Sequence, residues 1–307
     1  MDGLASRELN HGFVPSGIIV PMITPFKGAE MREIDHTKLR RLTEYLIENG
    51  VSGLMVNGTS GEFSLQSHEE RKAVLRTVLN AASKRIPVIA GVCESSTKNS
   101  LDLALDAEKA GADAVIATGP IYYRTNEAGL KYHFQTIIDK IRLPLMVYNI
   151  PSWIGYNIPP SIVLDLVRNN PGRIAGVKFT TNDLGLFLEY LRLLKHRISI
   201  MIGSDLLIFS ALELGATGAV VGSANVLPSE TSEIFSNFVS GQKDRANKIQ
   251  QRIDSFANVM GLGTYPSALK AGLKCLGMDV GQVRPPLMPM TKAEVVKVQK
   301  ALAWKKR

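Results

Sequence analysis

The chain has 307 residues, of which 45% are hydrophobic and 21% charged, a balance that suits a soluble globular protein with one large barrel or two ordinary domains. No apolar run reaches the roughly 20 residues of a membrane span, and Met1–Phe13 lacks the apolar core of a signal peptide. Two cysteines, Cys93 and Cys275, are too few for a disulfide framework, so a cytoplasmic, reduced protein is expected. The net charge of +8 is uneven: residues 241–307 hold 13 Lys and Arg against 4 Asp and Glu. That basic stretch has neither an aromatic stacking row nor a nucleic-acid motif, so it reads as a solvated helical face; nucleic acid is not an expected partner.

In chain order, Gly17–Ile23 is an apolar strand candidate turned by Thr24-Pro25-Phe26. Asp35 caps a helix to Asn49, with Leu39, Leu42, Leu46 and Ile47 on one face and Gly50 as its stop. Gly53–Asn57 is the second strand. Ser67 and Glu70 have capping-box spacing at the head of a helix to about Lys84. Strands at Pro87–Gly91, Asp113–Ala117, Pro144–Tyr148, Ile174–Thr180, Ile198–Ile202 and Gly218–Val221 follow, separated by helical patterns at about 98–110, 127–140, 160–168, 184–196 and 206–214. Beyond Pro228 the strands stop, and helices are expected at about 229–240, 243–257, 264–276 and 291–303. Eight even strand–helix units predict a (β/α)8 barrel over 1–240 with a helical region over 241–307. A doubly wound sheet fits less well, because no Gly-x-Gly-x-x-Gly follows the first strand.

One residue is out of character. Lys178 lies inside the apolar run Ile174–Thr180, and lysines are seldom fully buried without a partner. Either its head reaches water from the strand's end or it is a nucleophile: burial favours a neutral amine, and a neutral amine adds to a carbonyl. In a barrel, catalytic side chains sit at the C-terminal strand ends. The polar residues there are Asn57-Gly-Thr-Ser-Gly-Glu62, Pro120-Ile-Tyr-Tyr123, Tyr148-Asn-Ile-Pro151, Lys178 with Thr180, Gly203-Ser-Asp205 and Gly222-Ser-Ala-Asn225. The small hydroxylated turn 57–62 suits a carboxylate, or is simply a glycine-rich turn into a helix.

Gly-Thr-Ser-Gly-Glu, Tyr-Asn-Ile-Pro and Gly-Val-Lys-Phe-Thr, in this order on a strand–helix repeat, resemble the dihydrodipicolinate synthase/N-acetylneuraminate lyase family of class I, Schiff-base pyruvate enzymes. The resemblance extends to Pro285-Pro-Leu-Met-Pro289 near the end of the chain. It implies a TIM barrel with a C-terminal helical part, usually a homotetramer, and no metal or organic cofactor. By position, Lys178 would form the imine with a 2-oxo acid and Tyr148 would shuttle the proton. Thr59 would be its hydroxyl relay, and Tyr122 the tyrosine lent across a subunit interface. Thr59 and Ser60 would hold the pyruvyl carboxylate, with Thr180, Gly203 and Asp205 as further substrate-binding positions.

The synthases place an arginine two residues after the proline of Tyr-Asn-x-Pro; Trp153 stands there in this chain. An apolar plane cannot pair with a carboxylate, which argues against a synthase and for the lyase and aldolase branch. Asp205 matches a lyase aspartate that binds substrate hydroxyls, or is a helix N-terminal charge. Leu206 stands where sialic acid lyases carry a glutamate. A 2-keto-3-deoxy sugar acid, such as 2-keto-3-deoxygluconate, is therefore the expected substrate, cleaved to pyruvate and an aldehyde. N-acetylneuraminate lyase and dihydrodipicolinate synthase are the alternatives, with an aromatic substrate between walls at Trp153 and Phe179 as another. A metal-dependent lyase is disfavoured, since His11, His36, His68, His133 and His196 show no paired ligand spacing. A non-catalytic barrel binding acidic partners through its basic tail is the remaining reading.

Overall fold

The computed structural model describes residues 13–306; His11, most of Met1–Phe13 and Arg307 lie outside them. Eight parallel strands form a closed barrel: β1 (Gly17–Pro21), β2 (Gly53–Val56), β3 (Val88–Gly91), β4 (Ala114–Ala117), β5 (Leu145–Asn149), β6 (Ile174–Phe179), β7 (Ser199–Ile202) and β8 (Gly218–Val220). They are hydrogen-bonded in the order β1-β8-β7-β6-β5-β4-β3-β2. Helices follow the strands: α1 (His36–Glu48), α2 (His68–Ala82), α3 (Thr97–Ala110), α4 (Glu127–Lys140), α5 (Pro160–Asn169), α6 (Leu184–Leu194), α7 (Ile208–Leu214) and α8 (Pro228–Val239). The fold is thus the expected (β/α)8 TIM barrel, with a helical C-terminal part formed by α9 (Lys243–Ala257), α10 (Ser267–Cys275) and α11 (Lys292–Ala301). Among the described residues no helix is long and apolar enough to cross a membrane.

Packing divides the described chain into two compact units. One comprises residues 13–16, 89–204 and 210–219; the other comprises 17–88, 205–209 and 220–306.

In the first unit the strands are near-continuous apolar runs because parallel strands are covered on both faces. Strands β4 and β5 are buried throughout. Strands β5 and β6 are not in simple register. Leu145 pairs with Ile174, but Met146 pairs with Gly176, so Ala175 is an extra residue on β6. After that bulge Tyr148 stands opposite Lys178 and Asn149 opposite Phe179. Gly176 is required where it is: a Cβ there would come within 2.6 Å of the Ser199 carbonyl oxygen on β7.

His133 on α4 is buried at 1% exposure. Its Nε2 donates to the Thr118 carbonyl (3.1 Å), so in the neutral ring Nδ1 accepts from the Thr97 hydroxyl (3.0 Å). Burial holds its pKa down to about 4, against a smaller opposing effect of the Thr118 hydrogen bond. The folded value lies below the usual 6.5, so the stability that the neutral ring contributes is complete above pH 6.5. It is lost as pH falls from there through about 4, by up to about 3 kcal/mol. Denaturant titration at pH 7.5 and 4.5 should show a larger loss in the wild type than in His133→Gln. Equal losses would mean that the imidazole does not titrate with folding.

In the second unit, β1 and β2 pair in register from Ile19–Gly53 to Pro21–Met55. The sequence cues for the helices are realised: Asp35 accepts from Lys38 N (3.0 Å), and Ser67 and Glu70 form the reciprocal capping box at 3.2 and 2.8 Å. A small antiparallel pair, Phe26–Lys27 with Glu33–Ile34, follows β1 and has no alternating pattern that would announce it.

Candidate active site

The first unit carries the expected nucleophile. Lys178 is 4% exposed on β6, so its head does not reach bulk water from the strand end. In parallel strands, residues in register project to the same face, so the Tyr148–Lys178 register brings both side chains to one side of the sheet. The Lys178 Nζ lies 4.2 Å from the Tyr148 ring centroid, over its face. A cation in that place is favoured by the ring's negative face.

Thr180 and Gly203 lie beside the lysine. A Cβ on Gly203 would lie 1.9 Å from Thr180 Oγ1 and 3.3 Å from Lys178 Cε, so no other residue fits beside the lysine without displacing both. The Thr180 hydroxyl is buried and makes no hydrogen bond to a described residue. An unsatisfied buried hydroxyl is costly, and a polar ligand group at this spot would remove the cost.

Phe179 does not line the same side. Its neighbours in sequence face the other way along the strand, and its ring packs against Phe187 (5.2 Å) and Tyr190 (5.3 Å) of α6. It is a strand–helix packing residue, which corrects its assignment as a substrate wall.

At the end of β5 the chain enters a single helical turn, Pro151–Ile154, closed by Gly155 at φ +81. Trp153 on this turn is 58% exposed. The guanidinium of Arg124 reaches the same turn, where Nη2 donates to the Gly155 carbonyl. Tyr122 and Tyr123 are 83% and 74% exposed, their rings edge to face at 5.0 Å, and Tyr122 holds φ +81. A bulky residue at positive φ is strained and is kept only where something else fixes it.

In the second unit Thr59 and Ser60 lie on a 3₁₀ turn, Thr59–Gly61, directly after β2. Ser60 is buried at 2% and Thr59 half-buried. Asp205 opens a 3₁₀ turn, Asp205–Leu207, and its Oδ1 accepts from Ser223 N (2.7 Å) while its carbonyl accepts from Gln250 Nε2 (2.9 Å). Leu206 beside it is 41% exposed. Among the described residues, no three His, Cys, Asp or Glu side chains come together as metal ligands.

A profile of the Dihydrodipicolinate synthetase family matches residues 14–305. The chain belongs to that family. Its members are Schiff-base-forming lyases and synthases, and the chain is an enzyme of this class. A 4-hydroxy-tetrahydrodipicolinate synthase of Clostridium perfringens (strain SM101 / Type A) is 35% identical over 93% of this chain and 97% of its own length. The crystal structure of dihydrodipicolinate synthase from Aquifex aeolicus superposes with a TM-score of 0.90 at 30% identity, covering 95% of this chain and 98% of that one. YagE, a prophage protein of the dihydrodipicolinic acid synthase family from E. coli K12 solved with pyruvate, gives 0.90 at 27% identity, with 95% and 98% covered.

The sequence reading missed three features that this family member uses locally. They are the bulge at Ala175, the single helical turn that carries Trp153, and the ion pair that ties Glu62 to Lys270 at 2.7 Å. Only the last leaves a trace in the sequence, as the glutamate closing Gly-Thr-Ser-Gly-Glu.

Proposed function

We propose that the protein cleaves a 2-keto-3-deoxy sugar acid, with 2-keto-3-deoxygluconate as the representative, to pyruvate and an aldehyde through an imine on Lys178. The observation that carries this choice is Trp153: an exposed indole stands where a carboxylate-binding arginine would be needed for a charged aldehyde.

The Lys178 amine adds to the substrate's C2 ketone, water leaves, and the imine nitrogen takes up a proton. That cation sits over the Tyr148 ring face and draws the electrons of the C3–C4 bond towards nitrogen. As the bond breaks, Tyr148 takes the proton of the C4 hydroxyl and the aldehyde leaves. The remaining enamine takes that proton back from Tyr148 at C3, and water hydrolyses the imine to pyruvate, leaving the imine's proton on the lysine amine. A phenol is a poor base on its own near neutrality, so the Thr59 hydroxyl relays the proton. Thr59 and Ser60 hold the carboxylate through hydroxyl and amide donors. The Thr180 hydroxyl, Gly203 and Asp205 receive the polar groups of the substrate. No organic cofactor or metal enters these steps. A homotetramer is part of the same reading: Tyr122 is exposed and strained, as suits a residue that completes a second copy's site. So is a cytoplasmic setting.

A second reading is condensation of pyruvate with aspartate semialdehyde. It is favoured by the names of relatives such as that of Clostridium perfringens, and by the Arg124 guanidinium on the turn that carries Trp153. One assay separates the two. Pyruvate release in EDTA is measured from 2-keto-3-deoxygluconate beside N-acetylneuraminate, and condensation is measured with aspartate semialdehyde. Release from the first acid alone is expected. Condensation without release would replace the aldolase reading by the synthase, and release from N-acetylneuraminate would mean that Leu206 does not exclude the longer substrate.

A further inference from the structure

The turn that carries Thr59 and Ser60 is unusually held. It ends at Glu62, which adopts left-handed backbone angles (φ 59, ψ 38) and joins two 3₁₀ turns, Thr59–Gly61 and Phe63–Leu65. A non-glycine residue seldom takes that conformation without side-chain contacts to keep it there. Here the contacts come from 208 and 222 residues further along the chain. The Glu62 carboxylate is 2.7 Å from Lys270 Nζ on α10, with both side chains 1% exposed, and its Oε2 accepts from Arg284 N (2.8 Å). Lys270 also donates to the Gln282 carbonyl (2.8 Å) and lies 4.4 Å from the Phe26 ring centroid; the Arg284 guanidinium covers the same ring at 4.3 Å. Arg284 then grips the far side of the turn, donating to the Leu65 carbonyl (2.7 Å) and to both Glu70 carboxylate oxygens (3.0 and 2.7 Å). On the near side the Tyr265 and Ser60 hydroxyls are 2.7 Å apart.

A buried ion pair is a poor source of stability, because desolvating two charges offsets most of their attraction. Burial pushes the Glu62 carboxyl up and the Lys270 ammonium down to about 8, each opposed by the partner. Lys270 and Arg284 are matched by Glu62 and Glu70, so the cluster presents no surplus positive charge to a ligand anion. What such a cluster supplies is a fixed position.

We propose that Lys270, Arg284 and Tyr265 are positioning residues for the oxo-acid carboxylate: through Glu62 and Ser60 they set the alignment of the Thr59–Ser60 turn, so the C-terminal helical part determines affinity for pyruvate. The inference rests on the reading that this turn receives the carboxylate.

The test is the pyruvate concentration that half-saturates borohydride trapping, measured beside the turnover number. Tyr265→Phe deletes one hydroxyl and leaves the ion pair intact. It is expected to raise half-saturation by about 3- to 10-fold, the worth of one hydrogen bond, with turnover at saturation little changed. Glu62→Gln/Lys270→Met removes both buried charges together and is expected to raise it by about 10-fold or more, while Lys270→Arg keeps the charge and recovers part of the affinity. Unchanged half-saturation in Tyr265→Phe and in the folded double variant overturns the proposal. If the double variant does not fold, Tyr265→Phe decides alone. A wild type that traps no pyruvate at any concentration overturns the imine reading instead, so the two failures are distinct.

Discussion

Lys178→Ala yields no borohydride-trapped pyruvate adduct and loses at least about 10⁴-fold in turnover, which is about 5 kcal/mol or more at 1.36 kcal/mol per decade. The size follows from the covalent route. Without the amine there is no iminium to accept the electrons of the breaking bond, and nothing else at this end of β6 can form one. The variant should still fold. Alanine removes a long side chain that is 4% exposed, and its neighbours Val177 and Phe179 remain fully buried. Mass spectrometry of the reduced protein locates the adduct: an undiminished mass increase in Lys178→Ala would move the nucleophile to another lysine.

Tyr148→Phe separates binding from proton transfer. The ring face beneath Lys178 Nζ, at 4.2 Å, is retained, so the imine still forms and is still trapped at a similar pyruvate concentration. Only the hydroxyl is lost, and turnover should fall by about 10²- to 10⁴-fold, the usual range for a positioned acid–base group. Equal turnover in wild type and variant would assign the shuttle to another group. A parallel rise in the half-saturating concentration would mean instead that the hydroxyl mainly binds.

Most of the architecture was legible because parallel strands and their covering helices write periodic patterns. The capping pair Ser67 and Glu70, the Asp35 cap and the apolar runs from Ile18 to Val220 all stand where the pattern places them. The unusual lysine was legible for the opposite reason, as a charge within an apolar run. Other features depend on partners far away in the chain. That Phe179 faces helix α6 and not a substrate follows from strand register, which the run Ile174–Thr180 does not disclose by itself. The Glu62–Lys270 pair joins residues that no local pattern links: Glu62 is visible only as the end of a motif, and Lys270 reads in sequence as an ordinary exposed charge. The family model and its relatives decide the class of chemistry, whereas Trp153 bears on the substrate alone.

The extra residue on β6 makes the face that Lys178 takes a matter of odd and even. If Ala175 were paired like its neighbours, the pairing that begins at Leu145–Ile174 would set Tyr148 against Val177 and turn the lysine outward. The face that Lys178 takes is therefore set by parity: one more residue paired beyond the bulge turns the amine to the helix side, whereas a residue lost at the bulge leaves it opposite Tyr148. Point substitutions can tune such a site by degrees, but an inserted residue that joins the ladder between Gly176 and Lys178 has no intermediate outcome, while deletion of Ala175 removes the bulge and keeps the Tyr148–Lys178 pairing. That asymmetry also tells an engineer where a new imine-forming lysine can be built: on a neighbouring strand only at positions of the right parity, or with a second bulge to restore it.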